Sequence, residues 1–158
     1  TVVVLGYLLY EQVAALRANA VSIVTSVFVG CVTGIVSVIF IARYFGADQA
    51  LIASLEPKSV TTPIAMSIAE RSGGIPSIAA VVVIVVGIFG GIVGPFILEK
   101  LGIQSRIAKG LALGAAAHGL GTARAMEIGT IEGAISGLAI GVMGIMTAVL
   151  VPVIEWIL

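Results

Sequence analysis

Leu55-Glu-Pro-Lys-Ser-Val-Thr-Thr-Pro-Ile-Ala-Met66 is a polar, proline-broken stretch between long apolar segments, and the path of the chain through it decides the fold. Lys58, Ser59, Thr61 and Thr62 lie between Pro57 and Pro63. Thr62-Pro63 has the form of a helix start, because threonine caps free backbone N–H groups and proline fits the first helical position. Pro57 disfavours a helix running straight through, since it lacks an N–H and its ring crowds the preceding turn. One helix is therefore expected to arrive, a short unwound link to carry Lys58, and a second helix to leave from Thr62. In water such a break is an ordinary loop. In a membrane it is a candidate binding site.

Composition favours the membrane. The 158 residues are 59% hydrophobic and 10% charged, with a mean hydropathy of +1.23, where soluble domains carry roughly 25% charged residues. The formal net charge is 0, so nucleic acid is not an expected partner. The single cysteine, Cys31, lies in an apolar run and cannot form an internal disulfide. The chain begins at Thr1, inside an apolar segment, and is expected to lack N-terminal spans of a longer protein.

Outward from the break, three charge-free runs reach the ~20 residues needed to cross a hydrocarbon core. They are Val21–Ala42, Ser77–Leu98 and Ala134–Ile154, the last followed by Trp156 at an expected interface. Thr1–Tyr10 is apolar but short, and Glu11–Asn19 is a polar link. Gln49–Leu55 and Thr62–Ile68 are expected as short helices around the first break. Leu111–Ala117 and Thr122–Ile128 repeat that pattern around His118-Gly-Leu-Gly121. The fold class expected is all-α, a polytopic membrane helical bundle with two interrupted helices and an internal repeat.

Sliding the chain by 60 residues places Val21, Gly30, Gly34, Leu51, Thr62, Ala65, Met66 and Ile68 on identical residues, 8 identities over the 48 positions from 21 to 68. Lys58 falls on His118, and the Thr-x-x-Ala-Met helix start falls on itself. The repeats expected are about 21–76 and 81–136 within one transmembrane domain. Interrupted helices at corresponding positions of two repeats point to a transporter's substrate site. The pairs Gly30/Gly34, Gly87/Gly91, Gly90/Gly94 and Gly137/Gly141 are four residues apart, and are expected to let helices pack closely. Gly119 and Gly121 flank a histidine at a break and are candidates for close ligand approach.

Arg17, Arg43, Arg71, Lys100, Arg106 and Lys109 fall at expected ends of spans, where charges are solvated or meet headgroups. Lys58, His118 and Arg124 fall within or beside the breaks. There an ionisable group at membrane depth is a functional candidate. Soluble-enzyme motifs are absent: no His-Glu-x-x-His, no phosphate loop, no Gly-x-Ser-x-Gly. Gly119-Leu-Gly121 starts a dinucleotide-like pattern, but Arg124 stands where its third glycine belongs. Glu127 and Glu132 lie near a span end. No enzyme activity, cofactor or metal is expected.

Several stretches carry a resemblance. Leu55-Glu-Pro-Lys-Ser-Val-Thr-Thr-Pro-Ile-Ala65, Gly73-Gly-Ile-Pro-Ser77, Ala108-Lys-Gly-Leu-Ala-Leu-Gly114 and His118-Gly-Leu-Gly-Thr-Ala-Arg-Ala125 resemble the signature stretches of the LrgB/CidB family, as does Tyr7-Leu-Leu-Tyr-Glu-Gln12. Glu56 and Leu120 depart mildly from that pattern. The resemblance covers the whole chain. It implies a multi-pass protein of the bacterial inner membrane, with plastid-envelope relatives that exchange glycolate and glycerate. It also implies further spans ahead of this chain. Bacterial members are called antiholin-like or holin-like, tied to murein hydrolases and autolysis, and pyruvate uptake has been linked to the family. A homo-oligomer, such as a dimer, and a small LrgA/CidA-type membrane partner are further implications.

Two functions are therefore weighed. A carrier of small carboxylates needs a cation-bearing pocket reached from both sides in turn. A holin-like or antiholin-like protein needs self-association in the membrane lipid. The paired breaks favour the carrier, with helix N-termini at Thr62 and Thr122 facing one pocket and offering N–H donors to a carboxylate. Lys58 and Arg124 would supply cations, Ser59, Thr61, Thr62 and Thr122 hydroxyl contacts, Gly119 and Gly121 close approach, and His118 a proton. The breaks could interrupt crossing helices or form re-entrant hairpins. Crossing is the arrangement expected here. It would place Arg43 beside Lys100, Arg106 and Lys109 on one side, cytoplasmic by its positive excess.

Overall fold

The computed structural model describes Tyr10 and residues 17–157. Among these there are six helices and no strand: α1 Ala20–Tyr44, α2 Gln49–Leu55, α3 Thr62–Arg71, α4 Pro76–Lys100, α5 Arg106–Ile128 and α6 Thr130–Ile157. The fold class expected from sequence, an all-α bundle with two interrupted elements, is the one observed. The expected stretches Thr1–Tyr10 and Glu11–Asn19 lie outside the described residues except for Tyr10 and Arg17–Asn19.

Helices α1, α4 and α6 are long and apolar enough to cross a membrane. At 1.5 Å per residue a 25-residue helix such as α1 or α4 is about 37 Å long, more than a hydrocarbon core of about 30 Å. Their apolar side chains divide by face. Ile23, Val27, Ile35 and Ile39 of α1, Val83 of α4, and Ile135, Met143 and Val151 of α6 form the buried core. Val81, Ile84, Val85, Ile88, Phe89, Ile92 and Phe96 of α4 are exposed. An apolar outer face of that extent suits lipid.

The breaks do not cross. Their helices turn back, which corrects the crossing arrangement expected from sequence. In α5 the backbone leaves helical geometry at His118 (φ 42°, ψ −125°). A Cβ on Gly121 would then collide with the carbonyl oxygen of Leu113, eight positions back, which a continuous helix would hold a full two turns away. Arg106 at the start of α5 and Ile128 at its end line the same cleft beside Thr130. So α5 is a hairpin whose two ends share one end of the bundle.

The first break is a hairpin of the opposite sense. Helix α2 has 7 residues, about 10 Å, and starts at Asp48 just past the end of α1. Asp48 Oδ1 caps it, accepting from the Leu51 N–H at 2.8 Å. It ends at Leu55, and the turn that follows carries Lys58, which lies beside Gly34, midway along α1. Helix α3 then climbs α6: Ile64 packs by Gly144, and Ser72, just past the end of α3, bonds Glu155. Ser54 Oγ accepts from the Ile75 N–H at 2.7 Å, tying the exit of the hairpin to its incoming arm. The helix start expected at Thr62 is present, with Pro63 in its first turn. Its cap is Thr61, whose side chain makes no capping bond.

A long helix followed by a hairpin thus occurs twice, and the second unit runs opposite to the first. Asn19, Ser105 and Thr130 gather at one end, and Arg43, Ser72 and Glu155 at the other. Arg43 and Lys100 are consequently at opposite ends. Tyr44, Phe45 and Trp156, all more than three-quarters exposed, share the end that holds Glu155.

Candidate functional site

A cavity of about 730 Å³ runs from Asn19 and Ser105, at one end of the bundle, to Lys58 at mid-length. One wall is α1, with Ser22, Ser26, Thr33 and Gly34. The facing wall is the incoming arm of α5, where Ala108, Ala112, Ala115 and Ala116 keep the space open. Lys58 and Ser59 close its inner end. Lys58 Nζ donates to Ser59 Oγ at 3.1 Å and lies 3.7 Å from where a Cβ on Gly34 would be. Among the described residues the only ion pair is Arg124–Glu127, so Lys58 keeps its charge free of an acidic partner. A half-buried ammonium with one hydroxyl for company retains two donors for an anion.

The cavity gathers fewer of the sequence candidates than expected. Lys58 and Ser59 line it. Thr61 and Thr62, half-buried at the start of α3, do not. His118 is buried against α4, where its Nε2–H donates to the Val83 carbonyl at 2.9 Å. Gly87 makes that seat, since a Cβ there would stand 2.5 Å from the imidazole Cε1. Thr122 is buried and hydrogen-bonded to Ser136 of α6 at 2.7 Å. Gly121 is packed against Leu113 and Ala117, and a Cβ on Gly119 would point into open space. Arg124 is exposed, on the outgoing arm of the hairpin, and pairs with Glu127. The reason is geometric: the turn at His118 points the outgoing arm back along α4, away from the cavity. The polar cluster around His118 therefore holds the hairpin in place.

Residues that sequence reading passed over carry more of the polar interior. Ser22, Ser26 and Thr33 recur on one face of α1 and line the cavity; their four- and seven-residue spacing was the available signal. Cys31 Sγ meets Thr147 Oγ1 at 3.3 Å between α1 and α6. Glu56 is 3% exposed, within the hairpin tip next to Lys58.

Comparison with known proteins decides the family. The model of the LrgB-like family matches residues 1–157. The chain belongs to the LrgB-like family. Among curated relatives, the LrgB-like chain is 38% identical over 156 residues to the uncharacterized protein YxaC of Bacillus subtilis (strain 168), covering 99% of this chain and 68% of that one. It is 40% identical to the uncharacterized protein YwbG of the same strain, covering 91% of this chain and 64% of the relative. The antiholin-like protein LrgB of Bacillus mycoides (strain KBAB4) is 38% identical over 144 residues, 63% of its length. The chain thus spans about two thirds of the length of these relatives. No solved structure matches it. Family and helices together make this a membrane protein.

Proposed function

We propose that this LrgB-like chain forms the solute-handling core of a carrier for small carboxylates of the glycolate, glycerate or pyruvate kind in the bacterial inner membrane. One observation supports this most: Lys58, without an acidic partner, sits at the blind end of a hydroxyl-lined cavity. An unpaired ammonium halfway along a membrane bundle is costly unless an anion or water completes it. In the proposed topology α1, α4 and α6 cross the bilayer, and the two hairpins enter from opposite faces to mid-depth. Non-helical backbone at that depth is tolerated where it is buried in protein or lines a wet cavity, as at the tip carrying Lys58 and Ser59. Arg17, Lys100, Arg106, Lys109 and Arg124 fall on the end where the Lys58 cavity begins, against Arg43 and Arg71 on the other. That excess supports a cavity mouth on the cytoplasmic side.

A holin-like or antiholin-like role, with self-association or pairing with a small LrgA/CidA-type protein, has separate support. The curated name of several relatives is antiholin-like protein LrgB, and those names speak for this role more than for the carrier. The exposed apolar face of α4 offers area for such association.

Uptake by full-length protein in liposomes separates the two. The carrier should accumulate labelled glycolate, glycerate or pyruvate while retaining a trapped dye, and Lys58→Met should abolish uptake with insertion unchanged. Dye release without selective uptake, or uptake indifferent to Lys58→Met, returns the chain to the holin-like role.

A further inference from the structure

Glu56 is the most deeply buried acid among the described residues, and its Oε2 has no hydrogen-bond partner. Its carboxyl lies within hydrogen-bonding reach of that of Glu155, near the C-terminal end of α6. Glu155 accepts from Ser72 Oγ through Oε2 at 3.0 Å, while its Oε1 is buried without a partner. Two acids that face each other therefore each hold an orphaned oxygen. Were both ionised, two negative charges would repel in a water-poor interior, and neither orphan would have a donor. A single proton supplies the missing donor and removes one charge. The surrounding charged and titratable groups do not replace it. Arg43, at the end of α1, acts on Glu56 through space, and Arg71, at the end of α3, lines the same groove as Glu155; neither forms an ion pair with the acids. Lys58, on the same tip, is turned to Ser59, and Cys31 of α1 is engaged with Thr147.

The position of the pair gives that proton a use. On one side, a void of about 10 Å³ lined by Cys31, Gly34, Glu56, Ser59 and Thr147 separates it from the Lys58 cavity. Such a void has room for about one water. On the other side, a groove of about 550 Å³ between α3 and α6 is lined by Ser67, Arg71, Ser72 and Glu155. The acids thus stand between a cavity reaching one end of the bundle and a groove toward the other.

We propose that Glu56 and Glu155 share one exchangeable proton and form the coupling site of the carrier, between the Lys58 cavity and the opposite groove. Hydronium on one side gives the pair its proton, and water on the other side takes it. The coupling role rests on the carrier function proposed above; the shared proton does not. Release would leave two facing carboxylates. That state is disfavoured until the hairpin tip moves them apart, so proton release and hairpin movement are linked.

Infrared spectra of the full-length protein in liposomes test the proton directly, with Glu56→Gln and Glu155→Gln as shape-conserving variants. At neutral pH the wild type should show a protonated-carboxyl C=O band, and each variant should lose it, because the glutamine amide then donates to an ionised partner. A band absent from the wild type, or unchanged in both variants, overturns the shared proton. So does sodium binding that either substitution abolishes. Proton uptake during net carboxylate uptake should vanish in Glu56→Gln while carboxylate exchange persists. Proton uptake unchanged in that variant overturns the coupling role. Should wild-type vesicles move no carboxylate while the band behaves as stated, the carrier function falls and the shared proton stands.

Discussion

Thr122 shows how one residue type serves different ends according to what surrounds it. As a threonine beside a break it resembled a ligand for a substrate hydroxyl. In the fold its hydroxyl is spent on Ser136, joining the outgoing arm of α5 to α6. Thr122→Val should therefore leave a buried serine hydroxyl unpaired and lower stability by about 1 kcal/mol, read from thermal unfolding in detergent. Carboxylate uptake should keep its affinity, and Thr122→Ser should restore the stability. His118 was legible as special and illegible in role. A histidine's two nitrogens serve a proton path or a backbone carbonyl equally well, and only the approach of α4 chooses the second.

Elements depend on small residues where hairpin meets helix. Gly87, Gly90 and Gly94 of α4 form one stripe, and Cβ atoms there would meet His118, Ala117 and Leu113 in turn. The close packing expected of spaced glycines is real on α4. It does not hold for α1, where Gly30 touches nothing and Gly34 borders the cavity. Gly90→Ala would put a methyl 2.7 Å from the Ala117 Cβ. Overpacking of that kind costs about 1–3 kcal/mol, so the variant should unfold earlier. Ala117→Gly in the same chain should recover most of the loss, which a general intolerance of Gly90 substitution would not allow.

At the scale of the whole molecule, the two hairpins decide which loops share one end of the bundle, and in the proposed topology which loops share a face of the membrane. With Cys31→Ser as background, a substitution that keeps a hydroxyl for Thr147, single cysteines report accessibility. Phe45→Cys and Arg71→Cys should label from one face, and Ile103→Cys and Thr130→Cys from the other. Labelling of positions 45 and 103 from the same face would instead restore crossing helices and dissolve the opposed arrangement of the two units.

The three long helices and both breaks were already determined by the sequence, because apolar length and proline or glycine punctuation are properties of the chain itself. Helix boundaries moved outward by only a few residues, and α2 kept its expected limits. The direction of the chain after each break was not so determined. A crossing interrupted helix and a hairpin use the same residues in the same order; they differ in the backbone path at the break, as at His118 with its φ of 42°. What selects between them is the seat: Gly87 and Gly90 admit the second tip, and Gly34 lies beside the first. That choice assigned Lys58 and Ser59 to a cavity and turned Arg124 outward. It also brought Glu56 to Glu155, ninety-nine positions apart, a meeting only the tertiary structure makes.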